Sequence, residues 1–335
     1  MAQPPGELPY TPELRKDVIT REWVIVARGR SRRPSDLQQG EPPSPCPFCP
    51  GQESASETLY QIPDGPTGWK VRVVRNKFPA LIWQKEVVTI ERGIYDIVSG
   101  NGSHEVVIES PQHDPDIWQL PPEQVEAVLE TYRRRIITLQ RDTRLRYILV
   151  FRNHGLGAGT SLAHPHSQII ATPVVPHYIE QEMEGIKHYW EYIERCPYCA
   201  IIAQELETGE RLVLENERFV GITAFAGRFP YEMWLIPKRH QAHFHATTDA
   251  ARADCAAALR EMLGRLAGAL HFPSYNYALH TGLAGDGSDA AFHWHLEIFP
   301  RVGTAGGFEL GSDLYINSTT PEDAAQALRT APIPM

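Results

Sequence analysis

The chain has 335 residues, room for two ordinary domains, with 42% hydrophobic and 22% charged residues, the balance of a folded globular protein. A net charge of −9 argues against general binding to nucleic acid or anionic membranes, which needs basic surface, but leaves an anionic small substrate open because a local arginine cluster suffices. No stretch approaches the ~20 apolar residues of a membrane span, the Pro-rich stretch Met1–Arg15 has no signal-peptide core, and the cysteines are too few for a disulfide scaffold, so a cytoplasmic protein is expected.

The first features in chain order are a basic turn, Arg30-Ser31-Arg32-Arg33-Pro34, and Cys46-Pro47-Phe48-Cys49. The stretch Val74–Ala80 contains Asn76 and Phe78, and Val106–His113 begins as a strand. A helix-like segment, Pro122–Asp142, precedes a strand at Tyr147–Arg152. Asn153-His154-Gly155 and Gly157-Ala158-Gly159-Thr160-Ser161 then form a small, donor-rich loop, whose backbone N–H groups suit an anion such as phosphate. The run Ser161–Ile170 follows. Read as a strand, it places His164, His166 and Gln168 on one face and Ile169 on the other. Two imidazoles and an amide make a poor core surface and a reactive one. A histidine beside a phosphate-holding loop points to nucleophilic phosphorus chemistry.

Prolines between Pro173 and Pro176 interrupt the strand pattern and mark a joint, giving expected domains 1–176 and 177–335. The helical stretch Ile179–Arg195 bridges them, and the first pattern then recurs. Cys196-Pro197-Tyr198-Cys199 repeats the cysteine pair, Glu215–Gly221 echoes Val74–Ala80, and Met233–His240 matches Val106–His113. A helix at Thr248–Leu270, a strand at Tyr275–His280 and a histidine strand, His293-Trp294-His295, complete the repeat before a short helix at Pro321–Arg329. Strands outnumbering helices in each half argue for α+β architecture with antiparallel sheets.

Cys-x-x-Cys aims two thiolates at one point, and two histidines complete a tetrahedral zinc site. The sets are Cys46, Cys49, His113 and His164 in the first half, and Cys196, Cys199, His240 and His293 in the second, in the same order. A thioredoxin-like dithiol, a zinc ribbon and a zinc deaminase fit less well. The motif occurs twice, the cysteine pairs lie far apart, and no His-x-Glu precedes them. Cys255, in an Ala-rich helix, reads as packing. Four protein ligands leave a zinc no open position, so the metal is structural and His166 is the catalytic group.

The His-Pro-His-Ser-Gln run, its Asn-x-Gly lead-in, the Cys-x-x-Cys and the repeated half resemble the galactose-1-phosphate uridylyltransferase family, a branch of the histidine-triad superfamily. The resemblance spans nearly the whole chain. It implies two fused histidine-triad-like halves, each an antiparallel sheet with packed helices, in a homodimer with active sites between subunits. It also implies a ping-pong reaction through a nucleotidyl-histidine. Residue by residue, it implies His166 as nucleophile, Gln168 and Ser161 on phosphoryl oxygens, and Arg30 and Arg33 as phosphate-binding arginines. Asn76, Phe78 and Asn153 fit nucleotide contacts, and Gly159 belongs to the same binding loop.

The leading expectation is a nucleotidyltransferase that uses a nucleotide sugar and a sugar 1-phosphate, UDP-glucose and galactose 1-phosphate first, with zinc in each half. Some features depart from the family. Ser167 stands where many members have glycine, and Phe308–Asn317 lacks their Tyr-Glu pair, with Asp313 as a candidate substitute. Some members bind iron through an acidic residue and three histidines, for which Glu182, His280, His293 and His295 are the candidates here. These differences resemble plant-type ADP-glucose phosphorylase, which transfers to inorganic phosphate. A non-catalytic, zinc-stabilised nucleotide-binding module is the alternative of another class. Glu297 matches Gln168, and a carboxylate there would repel phosphate, so only the first half is expected to be catalytic.

Overall fold

The computed structural model describes residues 11–32, 46–66, 68–283 and 289–334. The first half contains β1 (Glu13–Lys16), β2 (Trp23–Val26), β3 (Thr58–Asp64), β4 (Gly68–Arg75), β5 (Thr89–Arg92), β6 (Tyr95–Ser99) and β7 (Ser103–Ile108), followed by α1 (Pro122–Leu139), β8 (Tyr147–His154) and β9 (His166–Thr172). The second contains α2 (His177–Ile193), α3 (Pro197–Thr208), β10 (Leu212–Glu215), β11 (Phe219–Thr223) and β12 (Met233–Pro237), then α4 (Asp249–Leu270), β13 (Tyr275–His280), β14 (His295–Pro300), α5 (Gly307–Ser312) and α6 (Pro321–Thr330). Proline at the first position starts α1, where its missing N–H costs nothing, and the Thr248 hydroxyl caps α4 by accepting from Ala251 N–H.

Ten strands form one sheet in the order β10-β11-β12-β14-β13-β8-β9-β7-β4-β3. Outward from its centre, each half repeats one arrangement, and every pairing is antiparallel. The halves meet where β8 pairs with β13, with Asn153 opposite Asn276 and Val150 opposite Leu279. The architecture is α+β, as expected, but the two half-sheets are continuous. A separate four-stranded sheet, β2-β1-β6-β5, was not anticipated.

Strand alternation divides the large sheet into a packing face and a reactive face. Val107, Ile169 and Ala171 point toward α1, and Leu235, Leu296 and Ile298 share the same core with Leu259 and Met262 of α4. Cutting such a side chain back to alanine costs about 2–5 kcal/mol. On the opposite face lie Phe48, Val74, Val106 and Ile108 in one half, and Tyr198, Val220, Ile222 and Ile236 in the other.

A buried polar cluster sits under the seam. The Arg152 guanidinium pairs with Glu109 at 2.9 Å and Asp116 at 2.8 Å. The Tyr132 hydroxyl donates to Ser167 Oγ at 2.6 Å and lies 2.6 Å from that of Tyr277. Ser167 therefore points toward α1, and its departure from the family's glycine does not reach the reactive face. Among the described residues, no helix is long and apolar enough to cross a membrane.

Candidate active site and metal centres

The histidine strand starts later than its alternation suggested. β9 begins at His166, and His164 lies in the turn before it, fully buried. His166 and Gln168 project from β9 onto the reactive face, opposite Ile108 and Val106 of β7. They line a cavity of about 300 Å³ together with Phe48, Asn76, Phe78, Gly159, Ser161 and Leu162. That volume is at the small end for a ligand site. Phe48, inside the first cysteine pair, stands edge-on to His166 at a centroid distance of 5.4 Å.

The loop from β8 to β9 depends on glycine at two points. Gly155 has φ 79°, and a Cβ there would lie 2.3 Å from Ser274 Oγ. Gly159 has φ 80° at the rim of the cavity. Both conformations disfavour a side chain. Asn153 is at the end of β8, where its Oδ1 accepts from Asn276 Nδ2 at 2.8 Å. Arg30 lies in a 3₁₀ turn, Arg28–Arg32, and reaches the cavity wall by donating to the Phe78 carbonyl at 2.8 Å. Arg33 lies outside the described residues.

The tautomer of His166 follows from its surroundings. Its Nδ1 is 2.8 Å from the backbone oxygen of His164. A carbonyl only accepts, so Nδ1 carries the proton and Nε2 has the lone pair. A neutral imidazole held this way keeps its lone pair on Nε2, which is the arrangement a nucleophilic histidine requires.

The structure gathers both sets of metal-ligand candidates, and either could hold a metal ion. Cys49 Sγ is 3.3 Å from His113 Nδ1 and 3.6 Å from His164 Nδ1, the two Nδ1 atoms are 3.3 Å apart, and Cys46 Sγ is 3.8 Å from His164 Nδ1. In the second half, Cys196 Sγ and Cys199 Sγ lie 3.7 and 3.6 Å from His293 Nδ1, and Cys199 Sγ is 3.6 Å from His240 Nδ1. Bonds of about 2.0–2.3 Å to one tetrahedral ion imply edges of about 3.3–3.8 Å, and these separations match.

The histidine donors are also set for metal. Nε2 of His164, His293 and His240 donates to the carbonyls of Ser110, Pro237 and Asp289 at 2.8, 2.8 and 2.9 Å, leaving each Nδ1 a lone pair. Burial pushes His164 down to about 4 and His293 down to about 3, so both are neutral near pH 7. The second cysteine pair also opens a helix, because Cys196 is the residue before α3.

The four candidates for the alternative set, Glu182, His280, His293 and His295, do not come together. His293 faces the cysteines, and the remaining three form their own buried group. Glu182 lies 2.8 Å from His280 Nδ1 and accepts from the Tyr198 hydroxyl at 2.8 Å. Burial opposes charge on His280, but Glu297 and Glu182 outweigh it and raise the imidazole to about 9. Tyr198 stacks on His295 with centroids 4.5 Å apart. In the second half, then, a ring and carboxylates surround the histidine that matches His166.

One residue on the reactive face escaped the sequence reading. His104 lies on β7, two residues before Val106 and just ahead of the Val106–His113 stretch. The signal for it was strand alternation, which puts it on the same face as Val106.

Comparison with known proteins gives the family of the chain. The galactose-1-phosphate uridyl transferase N-terminal domain matches residues 5–176, and the C-terminal domain of the same name matches residues 172–333. The chain is 38% identical to an ADP-glucose phosphorylase of Arabidopsis thaliana, covering 95% of this chain and 93% of that one. It is 28% identical to a galactose-1-phosphate uridylyltransferase of Thermotoga maritima, covering 95% and 98%. The crystal structure of an ADP-glucose phosphorylase from Arabidopsis thaliana with bound ADP-glucose superposes with a TM-score of 0.78 at 35% identity, covering 97% of this chain and all of that one. The chain belongs to the galactose-1-phosphate uridyl transferase family.

Proposed function

We propose that this protein transfers a nucleotidyl group from a nucleotide sugar to a phosphate acceptor through a covalent bond to His166. The observation that carries this reading is the 2.8 Å bond from His166 Nδ1 to the His164 carbonyl, which leaves the Nε2 lone pair beside Gln168 and Ser161 in the cavity. Nε2 attacks the α-phosphorus, the bond from that phosphorus to the bridging oxygen breaks, and the sugar 1-phosphate leaves. An acceptor phosphate oxygen then attacks the same phosphorus and breaks the N–P bond, which returns the imidazole. Gln168 N–H, the Ser161 hydroxyl and the loop amides donate to the oxygens on which charge accumulates. Phe48 and Phe78 offer apolar walls for the base.

The donor and acceptor favoured here are ADP-glucose and inorganic phosphate. The support is the higher identity, 38%, to an ADP-glucose phosphorylase, with coverage of 95% of the chain. UDP-glucose with galactose 1-phosphate is the second reading, supported by 28% identity over the same share of the chain to a uridylyltransferase. Incubation with each α-labelled nucleotide sugar, and either acceptor, separates them. Label from ADP-glucose that chases into ADP on adding phosphate supports the first. Label from UDP-glucose that chases into UDP-galactose supports the second. Tight nucleotide binding with no covalent label from either donor supports a non-catalytic module and sinks both.

We also propose zinc as the ion in both Cys₂His₂ groups, since thiolate and imidazole donors in tetrahedral sets select it. Held by four protein ligands, it would supply cohesion rather than Lewis acidity. The first such group fixes the turn at His164, and through it the entry of β9 that aims His166. We propose further a division of the chain near residue 176 and assembly as a homodimer with shared active sites.

A further inference from the structure

We infer that His104 is a positioning residue that locks the side-chain amide of Gln168 with its NH₂ group turned into the cavity. The inference deepens the reading of His166 as nucleophile and rests on it for its kinetic consequence, but the geometry stands on its own. His104 and Gln168 occupy neighbouring strands on the reactive face, and His104 is only 3% exposed. The Ala80 backbone N–H lies 2.9 Å from His104 Nδ1. A backbone amide can only donate, and it cannot be flipped as a side-chain amide can. Nδ1 therefore holds the lone pair. Arg30 Nη1, another obligate donor, sits 3.5 Å from the same nitrogen.

The proton must then be on Nε2, which lies 2.8 Å from Gln168 Oε1. Nε2–H donates to Oε1, and the two hydrogens of the Gln168 amide are directed away from His104, toward the space shared with His166. Asn76 Nδ2 lies 3.1 Å from the same Nε2, and with the proton there the two make no hydrogen bond; Asn76 Oδ1 accepts from Phe78 N–H at 2.8 Å.

A flipped Gln168 would present a carbonyl oxygen, which repels phosphate as the carboxylate of Glu297 would. Its barrier to flipping in place is the loss of the His104 bond. Position and orientation here matter for the step in which charge builds on the phosphoryl oxygens, more than for holding the nucleotide.

The first test needs no activity. In protein labelled with ¹⁵N-histidine, long-range ¹H–¹⁵N spectra assigned with His104→Phe should show His104 as the Nε2–H tautomer. An Nδ1–H tautomer would overturn the inference whatever reaction the protein runs. The second test is kinetic. His104→Phe should slow formation of the nucleotidyl-enzyme by about 30-fold or more, while the Kd for ADP changes by less than about twofold. In a Gln168→Ala background the same substitution should cost less than about threefold, because the amide it positions is gone. An equal cost in both backgrounds would also overturn the inference. If His104→Phe does not fold, His104→Asn keeps an acceptor for Ala80 but cannot reach Gln168, and the same comparison applies. Absence of any nucleotidyl-enzyme in the unaltered protein would refute the His166 reading alone, since the tautomer still decides the role of His104.

Discussion

At the scale of single residues, hydrogen bonds to backbone groups decide the chemistry of this site. His166, His164, His293 and His240 each give one ring proton to a main-chain carbonyl, and each is left with one directed lone pair. In His166 that lone pair is on Nε2, and in the other three it is on Nδ1, facing the cysteines. The proposed nucleophile and the candidate metal ligands therefore differ by which nitrogen the backbone engages. Replacing His166 with alanine should lower transfer by at least about 10⁴-fold with little change in the circular dichroism spectrum, since the residue carries the bond-making atom. Appreciable turnover by that variant, measured as release of sugar 1-phosphate, would refute covalent catalysis there. Cys46→Ser removes a different kind of interaction. Metal analysis should fall from about two ions per chain to about one, and Tm should drop by at least about 5 °C, because a structural ion contributes folding free energy directly. An unchanged metal count would exclude the first group as a binding site.

At the scale of elements, one strand–loop–strand unit occurs twice, and the proposed chemistry needs it only once. β9 offers His166 and Gln168 to a cavity, whereas β14 offers His295 and Glu297 to Tyr198, Glu182 and His280. Trapping with labelled nucleotide sugar followed by peptide mapping should thus give at most one nucleotide per chain, on the peptide containing His166. A labelled His295 peptide would contradict the assignment. Gln168→Glu, which writes the second half's residue into the first, should slow transfer by about 10²–10³-fold in single-turnover measurements. Wild-type rates in this variant would show that no donor is needed at that position.

Much at this scale was legible in the sequence, because the repeat aligned Cys46 with Cys196, His113 with His240 and His164 with His293. Local pattern could not give the rest. α3 was missed because Pro197 and the two cysteines read as a metal-binding turn, while the same proline is a good first residue for a helix. The small sheet was missed because β5 is exposed at all four positions and shows no alternation. His104 drew no notice because its proposed use depends on the Ala80 loop and on β9, both distant in sequence.

At the scale of the whole molecule, contacts between the repeated helices tie the two halves together. Glu130 of α1 accepts from Arg133 and Arg134 at 2.7 and 2.6 Å, and lies 3.1 Å from Arg252 of α4. Burial alone would raise the Glu130 carboxyl, but the hydrogen bonds from Arg133 and Arg134 and the charge of Arg252 outweigh it and hold it at about 2. A depressed carboxyl stabilises the fold above its ordinary value of 4.5 and loses that contribution as pH falls toward 2. Glu130→Gln should therefore be less stable than the unaltered chain at pH 7, by about 1 kcal/mol given the partial exposure of the cluster. The gap should narrow below about pH 5 in urea titrations. A gap that is constant with pH would assign the loss to packing instead. The continuous sheet itself could not be read from the sequence, because nothing local marks β8 and β13 as partners.

That seam has a consequence for synthesis on the ribosome. Asn153 and Asn276 face each other across it but are 123 residues apart. At about 5–20 residues per second, β8 emerges some 6–25 s before β13 exists to cover it. Throughout that interval the nascent first half carries a bare strand edge, Tyr-Ile-Leu-Val-Phe-Arg-Asn-His, able to zip onto the same strand of a neighbouring chain on the same message.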